Sequence, residues 1–203
     1  MPGRFITLEG GEGSGKSTQA RRLASHFVAL GHEVVLTREP GGTAGGEAVR
    51  DLLVNGAPDR WTPWAEACLM NASRAEHVAL VIRPALAAGA TVICDRFVDS
   101  TRAYQGAGKG LADDDLKALH AMACGGLWPD ITLVFHIDPG VGLARTQTRA
   151  GGEGRFEAHD SAFHARIAAF FDALSVMEPA RCHQIDASAD VDNVFRAVLA
   201  LMP

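Results

Sequence analysis

The chain has 203 residues, 47 % of them apolar and 21 % charged, a globular balance that excludes a disordered or collagen-like polymer and fits one domain with a sizeable core. The formal charge of −5 argues against a nucleic-acid binder, since polyanion binding needs accumulated positive charge, so any phosphate recognition has to be local. No apolar run approaches a membrane span, and Met1-Pro2-Gly3-Arg4 leads straight into Phe5-Ile6-Thr7-Leu8 without an export signal; a cytoplasmic protein with no membrane partner is expected.

Short β-rich runs alternate with helical patterns, which predicts a parallel sheet with crossover helices. A strand at Phe5–Glu9 leads into a helix over Gly15–Leu30, then a strand at Glu33–Thr37 and a helix over Thr43–Val54. A long helix over Pro63–Ala88 closes at Gly89, and Thr91–Asp95 reads as the third strand. Beyond it come a helix over Asp113–Ala123, a strand at Ile131–Ile137 and a helix over Pro139–Thr148, started by Asp138 as cap with proline first. The chain ends in a helix over Ala158–Met177, a strand at Cys182–Ile185 and a helix over Asp190–Leu201. Most strands are continuous apolar runs, as expected where both faces are covered. No linker divides residues 1–203 into two units; the glycine-rich stretch from Arg149 to Arg155 reads as a loop. Cys68, Cys94, Cys124 and Cys182 show no metal-ligand spacing and read as small buried hydrophobes.

Gly10-Gly11-Glu12-Gly13-Ser14-Gly15-Lys16-Ser17, followed by Thr18, fits G-x-x-x-x-G-K-[ST] between a predicted strand and a predicted helix. Backbone N–H groups of such a loop and the helix N-terminus face the phosphates of a nucleoside triphosphate. Lys16 then bridges the β- and γ-phosphates and Ser17 ligates Mg²⁺. A glycine-rich turn with an incidental lysine is the bland alternative. Asp95 ends an apolar strand, where a carboxylate can reach the same Mg²⁺, and Arg38 and Arg96 follow strand ends, the edge at which open parallel sheets bind ligands. Arginine suits a phosphate through its planar donor fork; an Asp95–Arg96 pair that merely seals the strand remains the alternative.

Three segments, Thr37-Arg38-Glu39-Pro40-Gly41-Gly42-Thr43, Asp95-Arg96-Phe97 with Asp99-Ser100-Thr101-Arg102-Ala103-Tyr104-Gln105-Gly106, and the loop from Arg149 to Glu157, resemble the bacterial type of the thymidylate kinase family. The resemblance implies a P-loop NTPase fold with a five-stranded parallel sheet, helices on both faces and a short lid at about 149–157. It implies ATP and Mg²⁺ as cofactors, dTMP as acceptor, and a homodimer built on the long helices. By resemblance Arg38, Arg50 and Arg96 contact the acceptor phosphate, and Glu12 accepts from the 3′-hydroxyl. Tyr104 crowds the sugar's 2′ position, while Arg74 and Gln105, with Thr101 beside them, read the thymine edge. Four residues before Arg74 the family carries a phenylalanine stacked on the base; this chain has Met70, whose thioether can cover a π-face. With no arginine inside the phosphate loop, the resemblance assigns the transition-state cations to lid residues Arg149 and Arg155, brought onto the phosphates by closure. Each residue also has a plain reading: Glu12 as a solvated loop residue, Tyr104 as a core aromatic, Arg74 as a surface charge, the lid arginines as solvated. The competing functions are a deoxynucleoside kinase, which would leave the acceptor-side arginines without a phosphate, and a nucleotide switch, for which no NKxD or DxxG sequence is present.

Overall fold

The computed structural model describes residues 3–147 and 154–202. Strands β1 (Phe5–Gly10), β2 (Val34–Arg38), β3 (Thr91–Asp95), β4 (Ile131–His136) and β5 (Cys182–Asp186) form one parallel sheet in the order β2-β3-β1-β4-β5. The helices are α1 (Lys16–Ala29), α2 (Ala44–Val54), α3 (Pro63–His77), α4 (Arg83–Ala87), α5 (Val98–Thr101), α6 (Asp113–Cys124), α7 (Pro139–Gln147), α8 (Gly154–Glu157), α9 (Ser161–Met177) and α10 (Val191–Ala200). All five predicted strands form, each within a residue or so of its expected bounds. None of the described helices is long and apolar enough to cross a membrane.

The period-two geometry of a strand sends alternate side chains to opposite faces. Ile6, Leu8, Ile93, Leu133 and Phe135 meet Leu23 and Phe27 of α1 and Val194 and Val198 of α10. On the opposite face Phe5, Val92 and Cys94 meet Val78, Ile82 and Phe97, while Val134 and Cys182 meet Phe163, Ile167, Phe171 and Leu174 of α9. Both faces are thus covered, which is why the strands read as unbroken apolar runs. Cys94, Cys124 and Cys182 are buried as expected, but Cys68 is exposed, since it falls on the outward side of α3.

Two departures from the predicted elements bear on the site. The single helix expected over residues 63–88 is interrupted by π-helical turns at Val78–Ile82, directly before Pro84 of α4. Proline has no N–H to return to the preceding turn, so the bonding must shift there. A second helical run, α5 continued by π-helical Arg102–Gly108, was not expected because Gly106 and Gly108 lower helix propensity. Tertiary ion pairs hold it instead. Asp99, fully buried, accepts from Arg102 Nη1 at 2.7 Å and from both terminal nitrogens of Arg181 at 2.7 and 2.9 Å. Asp113 at the start of α6 accepts from Arg102 Nε at 2.7 Å, and the Trp128 ring lies against both guanidinium groups.

Removing one partner of a buried charge cluster strands the others without compensation. Asp99→Ala is expected to lower stability by roughly 3–5 kcal/mol, read from the urea unfolding midpoint; a loss under about 1 kcal/mol would show that the cluster does not hold the segment.

Candidate active site

The phosphate loop is built by backbone constraints. Gly10 has φ 138° and a side chain there would meet the Phe135 carbonyl; Gly13 has φ 67° and packs on the Gly142 carbonyl. Only glycine fits both the dihedral and the close approach. Lys16 folds back over the loop, donating to the Gly10 carbonyl at 3.0 Å, the Gly11 carbonyl at 2.6 Å and Ser14 Oγ at 3.1 Å. Burial, reinforced by the Arg96 charge, pushes the Lys16 ammonium down to about 8. Ser17 Oγ donates to Asp95 Oδ2 at 2.5 Å across the β1–β3 edge. A hydroxyl beside a carboxylate is an oxygen donor set suited to a hard cation. The described residues hold no cluster of three or more His, Cys, Asp or Glu able to bind a metal. A cation at Ser17 and Asp95 therefore needs further oxygens from elsewhere, as nucleotide phosphates provide.

Beside this edge the chain turns sharply. Arg96 has φ 71°, the one left-handed non-glycine residue among those described, a conformation that costs of order 1–3 kcal/mol. Glu9, the second-last residue of β1, holds the turn: its carboxyl accepts from the Phe97 and Ser100 backbone N–H groups at 2.7 and 3.3 Å and from Ser100 Oγ at 2.6 Å. Burial, with Asp99 nearby, pushes Glu9 up to about 7 despite these donors. The turn aims Arg96 at the phosphate loop, where it donates to the Gly10 carbonyl at 3.1 Å and to Glu12 Oε1 at 2.8 Å. The Tyr104 hydroxyl donates to the same Glu12 oxygen at 2.6 Å. Burial alone would raise Glu12, but Arg96, Lys16 and the Tyr104 hydroxyl outweigh it and hold the carboxyl below its usual range.

A cavity opens from this cluster, lined by Glu12, Glu39, Pro40, Met70, Arg74, Arg96, Phe97, Ser100, Thr101, Tyr104, Gln105 and Phe156. Seven of the sequence candidates, Glu12, Met70, Arg74, Arg96, Thr101, Tyr104 and Gln105, therefore share one chamber. Arg74 is 2 % exposed. It donates through Nε to Glu39 Oε2 at 2.7 Å and through Nη2 to the Phe97 carbonyl at 3.1 Å and Thr101 Oγ1 at 3.0 Å. Glu39, whose other oxygen is 3.0 Å from His77 Nδ1, holds that guanidinium in a buried wall. A second cleft runs from Gly13, Ser14, Gly15 and Thr18 past Gln19 and Arg145 to Ala187, Ala189, Asp190 and Val191.

Other candidates lie elsewhere. Arg38 is exposed and paired with Glu47 at 3.0 Å, and Arg50 donates to the Pro40 carbonyl at 2.9 Å; neither lines the cavity. Arg149 lies outside the described residues. Arg155, expected to close onto the phosphates, is instead 2 % exposed and enclosed by the carbonyls of Leu53, Ala57 and Pro58 and by the Glu66 carboxylate. Its donors are taken up by four acceptors around the α2–α3 connection, so it anchors the chain that follows the loop. Glu9, Glu39, Glu66 and Arg145 escaped the sequence reading; for Glu9 the signal was present, an acid directly before a glycine-rich loop at the end of an apolar strand.

The family model described as thymidylate kinase matches residues 8–198. A thymidylate kinase of Caulobacter vibrioides is 53 % identical over 196 residues, covering 97 % of this chain and 94 % of that protein. One of Cereibacter sphaeroides is 51 % identical, covering 99 % and 95 %. The crystal structure of thymidylate kinase from Ehrlichia chaffeensis superposes with a TM-score of 0.81 at 33 % identity, covering 100 % of both chains. With a model match over nearly its whole length and half its residues shared with these relatives, the chain belongs to the thymidylate kinase family.

Proposed function

We propose that the protein transfers the γ-phosphoryl group of ATP to dTMP, giving ADP and dTDP on the route to dTTP. The observation that carries this reading is the chamber beside the phosphate loop, lined by Arg74 and Gln105 together with Arg96, Glu12 and Tyr104. ATP phosphates lie along Gly10–Thr18, with Lys16 between the β- and γ-groups, and the adenine base takes the cleft between Arg145 and Ala187–Val191. In the acceptor chamber Arg74 and Gln105 meet the thymine edge, with Thr101 fixing Arg74 and Met70 covering the ring. Glu12 and Tyr104 meet the sugar, and Arg96 grips the acceptor phosphate against the loop, with Arg38 and Arg50 adding positive potential from behind.

In such transfers the protein mainly aligns donor and acceptor and neutralises developing charge. Lys16 and Arg96 do this from opposite sides, Arg149 adds a cation from the loop, and Mg²⁺ held by Ser17, Asp95 and phosphate oxygens supplies further neutralising charge. The apolar side chains around Arg74 keep water from the base, which strengthens every polar contact there. Two copies of the chain pair through the outward face of α3, the turns at Val78–Ile82 and α6, where Trp64, Leu80 and Met122 are 44, 63 and 79 % exposed. Sedimentation equilibrium should return twice the chain mass, and a monomer at micromolar concentration would exclude this pairing.

With ATP and Mg²⁺, turnover of dTMP should exceed that of thymidine by at least about a hundredfold, because the nucleoside leaves Arg96 without its anion; comparable rates for the two would overturn the reading. The Glu9 carboxyl binds its proton up to about pH 7 in the folded chain, against an ordinary value of 4.5. Its contribution to stability is therefore fully present below pH 4.5 and is lost as pH rises through 7. Glu9→Gln should flatten the decline in urea midpoint between pH 5 and 7; an unchanged slope would assign that decline to other groups.

A further inference from the structure

We infer that Glu66 is the positioning residue that decides which end of the Gln105 amide meets the acceptor base, so that the pocket selects pyrimidines bearing an N3–H over those with a bare N3. The inference rests on reading the chamber as the dTMP site and adds the residue that sets its hydrogen-bond polarity.

Glu66 projects from α3 and is fully buried. Lys109 Nζ lies 2.8 Å from its Oε1, Arg155 Nη2 bonds its Oε2, and Gln105 Nε2 donates to Oε1 at 2.7 Å. A carboxylate between an ammonium and a guanidinium has only lone pairs to offer. The Gln105 amide must therefore turn its NH₂ toward Glu66; the reverse orientation would set oxygen against oxygen. What Gln105 has left is Oε1, which is buried and has no partner within the protein, in a residue that lines the chamber. An acceptor fixed there pairs with an imide N–H and repels a ring nitrogen that carries a lone pair. Because Glu66 also clamps Arg155, the orientation is not free to relax: both cations compete for the same two oxygens.

The variant Glu66→Gln reverses this logic. Its single carbonyl oxygen is claimed by Arg155 and Lys109, which can only donate. Its NH₂ then faces Gln105, whose amide turns over and shows its own NH₂ to the base.

The test measures kcat/KM for dTMP and for dCMP, with ATP and Mg²⁺, in the wild type, in E66Q and in E66Q with Lys109→Met. The double variant removes one charge of each sign and keeps the buried cluster balanced should E66Q alone fail to fold. The dTMP-to-dCMP ratio is expected to fall by at least about tenfold in either folded variant, the scale of one buried group left unpaired. If both substrates lose equally and the ratio stays within about twofold of wild type, Glu66 is only a structural support and the inference is overturned. A wild type that uses dCMP as well as dTMP would instead overturn the reading of the chamber itself, and the inference with it.

Discussion

Leu8 stands opposite Asp95 in the parallel ladder of β1 and β3, and the site exists because of that register. It brings the last turn of β1, with Glu9 and the start of the phosphate loop, level with Asp95 and Arg96. From that level Ser17 reaches Asp95 and Arg96 reaches the Gly10 carbonyl. A slip of one residue would send Glu9 to the other face and leave the Arg96 turn without its support. The apolar alternation of Ile6, Leu8, Ile93 and Leu133 against α1 prevents it, so the packing of one core face fixes the chemistry at the sheet's edge.

A chain with a net negative charge can hold two polyanions because its cations are placed, not merely numerous. Each guanidinium in the chamber is met by a carboxylate: Arg74 by Glu39, Arg96 by Glu12. These pairs do not cancel the site. They orient the donor fork and keep the guanidinium from straying in the chamber that both arginines line. The same economy explains Glu9, whose carboxyl bonds no cation directly and instead gathers backbone and hydroxyl donors to stabilise a strained turn.

The phosphate loop was legible because its conformation follows from residues adjacent in sequence: glycines where φ is positive, then a lysine and a hydroxyl at the helix start. The strands were legible for a similar reason, as their apolar runs report burial on both faces. The helical run from Val98 to Gly108 was not, since its two glycines argue against helix and the forces that hold it come from Asp113 and Arg181, distant in sequence. The place of Arg155 among main-chain carbonyls was not legible, because an arginine near a glycine-rich loop looks the same whether phosphates or main-chain carbonyls receive it. Only the tertiary position of Leu53, Ala57 and Pro58 decides. Glu66 left no mark for the same reason: an acid in the first turn of a helix carries no sign of the three donors that converge on it.

The wider turns of Arg102–Gly108 carry a further consequence. Bonding from residue i to i+5 spends one more residue per turn than an α-helix does, and each α-helical residue advances by about 100° around the axis. Tyr104 and Gln105 thus owe their heading to one surplus residue downstream of the Arg102 anchor. Among length variants in this part of the chain, loss of that one residue would let the segment tighten into an ordinary helix and turn Tyr104 and Gln105 away from the chamber they line, while the sheet beneath stayed intact. The lining of this chamber is therefore more sensitive to a one-residue change in length there than to most exchanges of side chain.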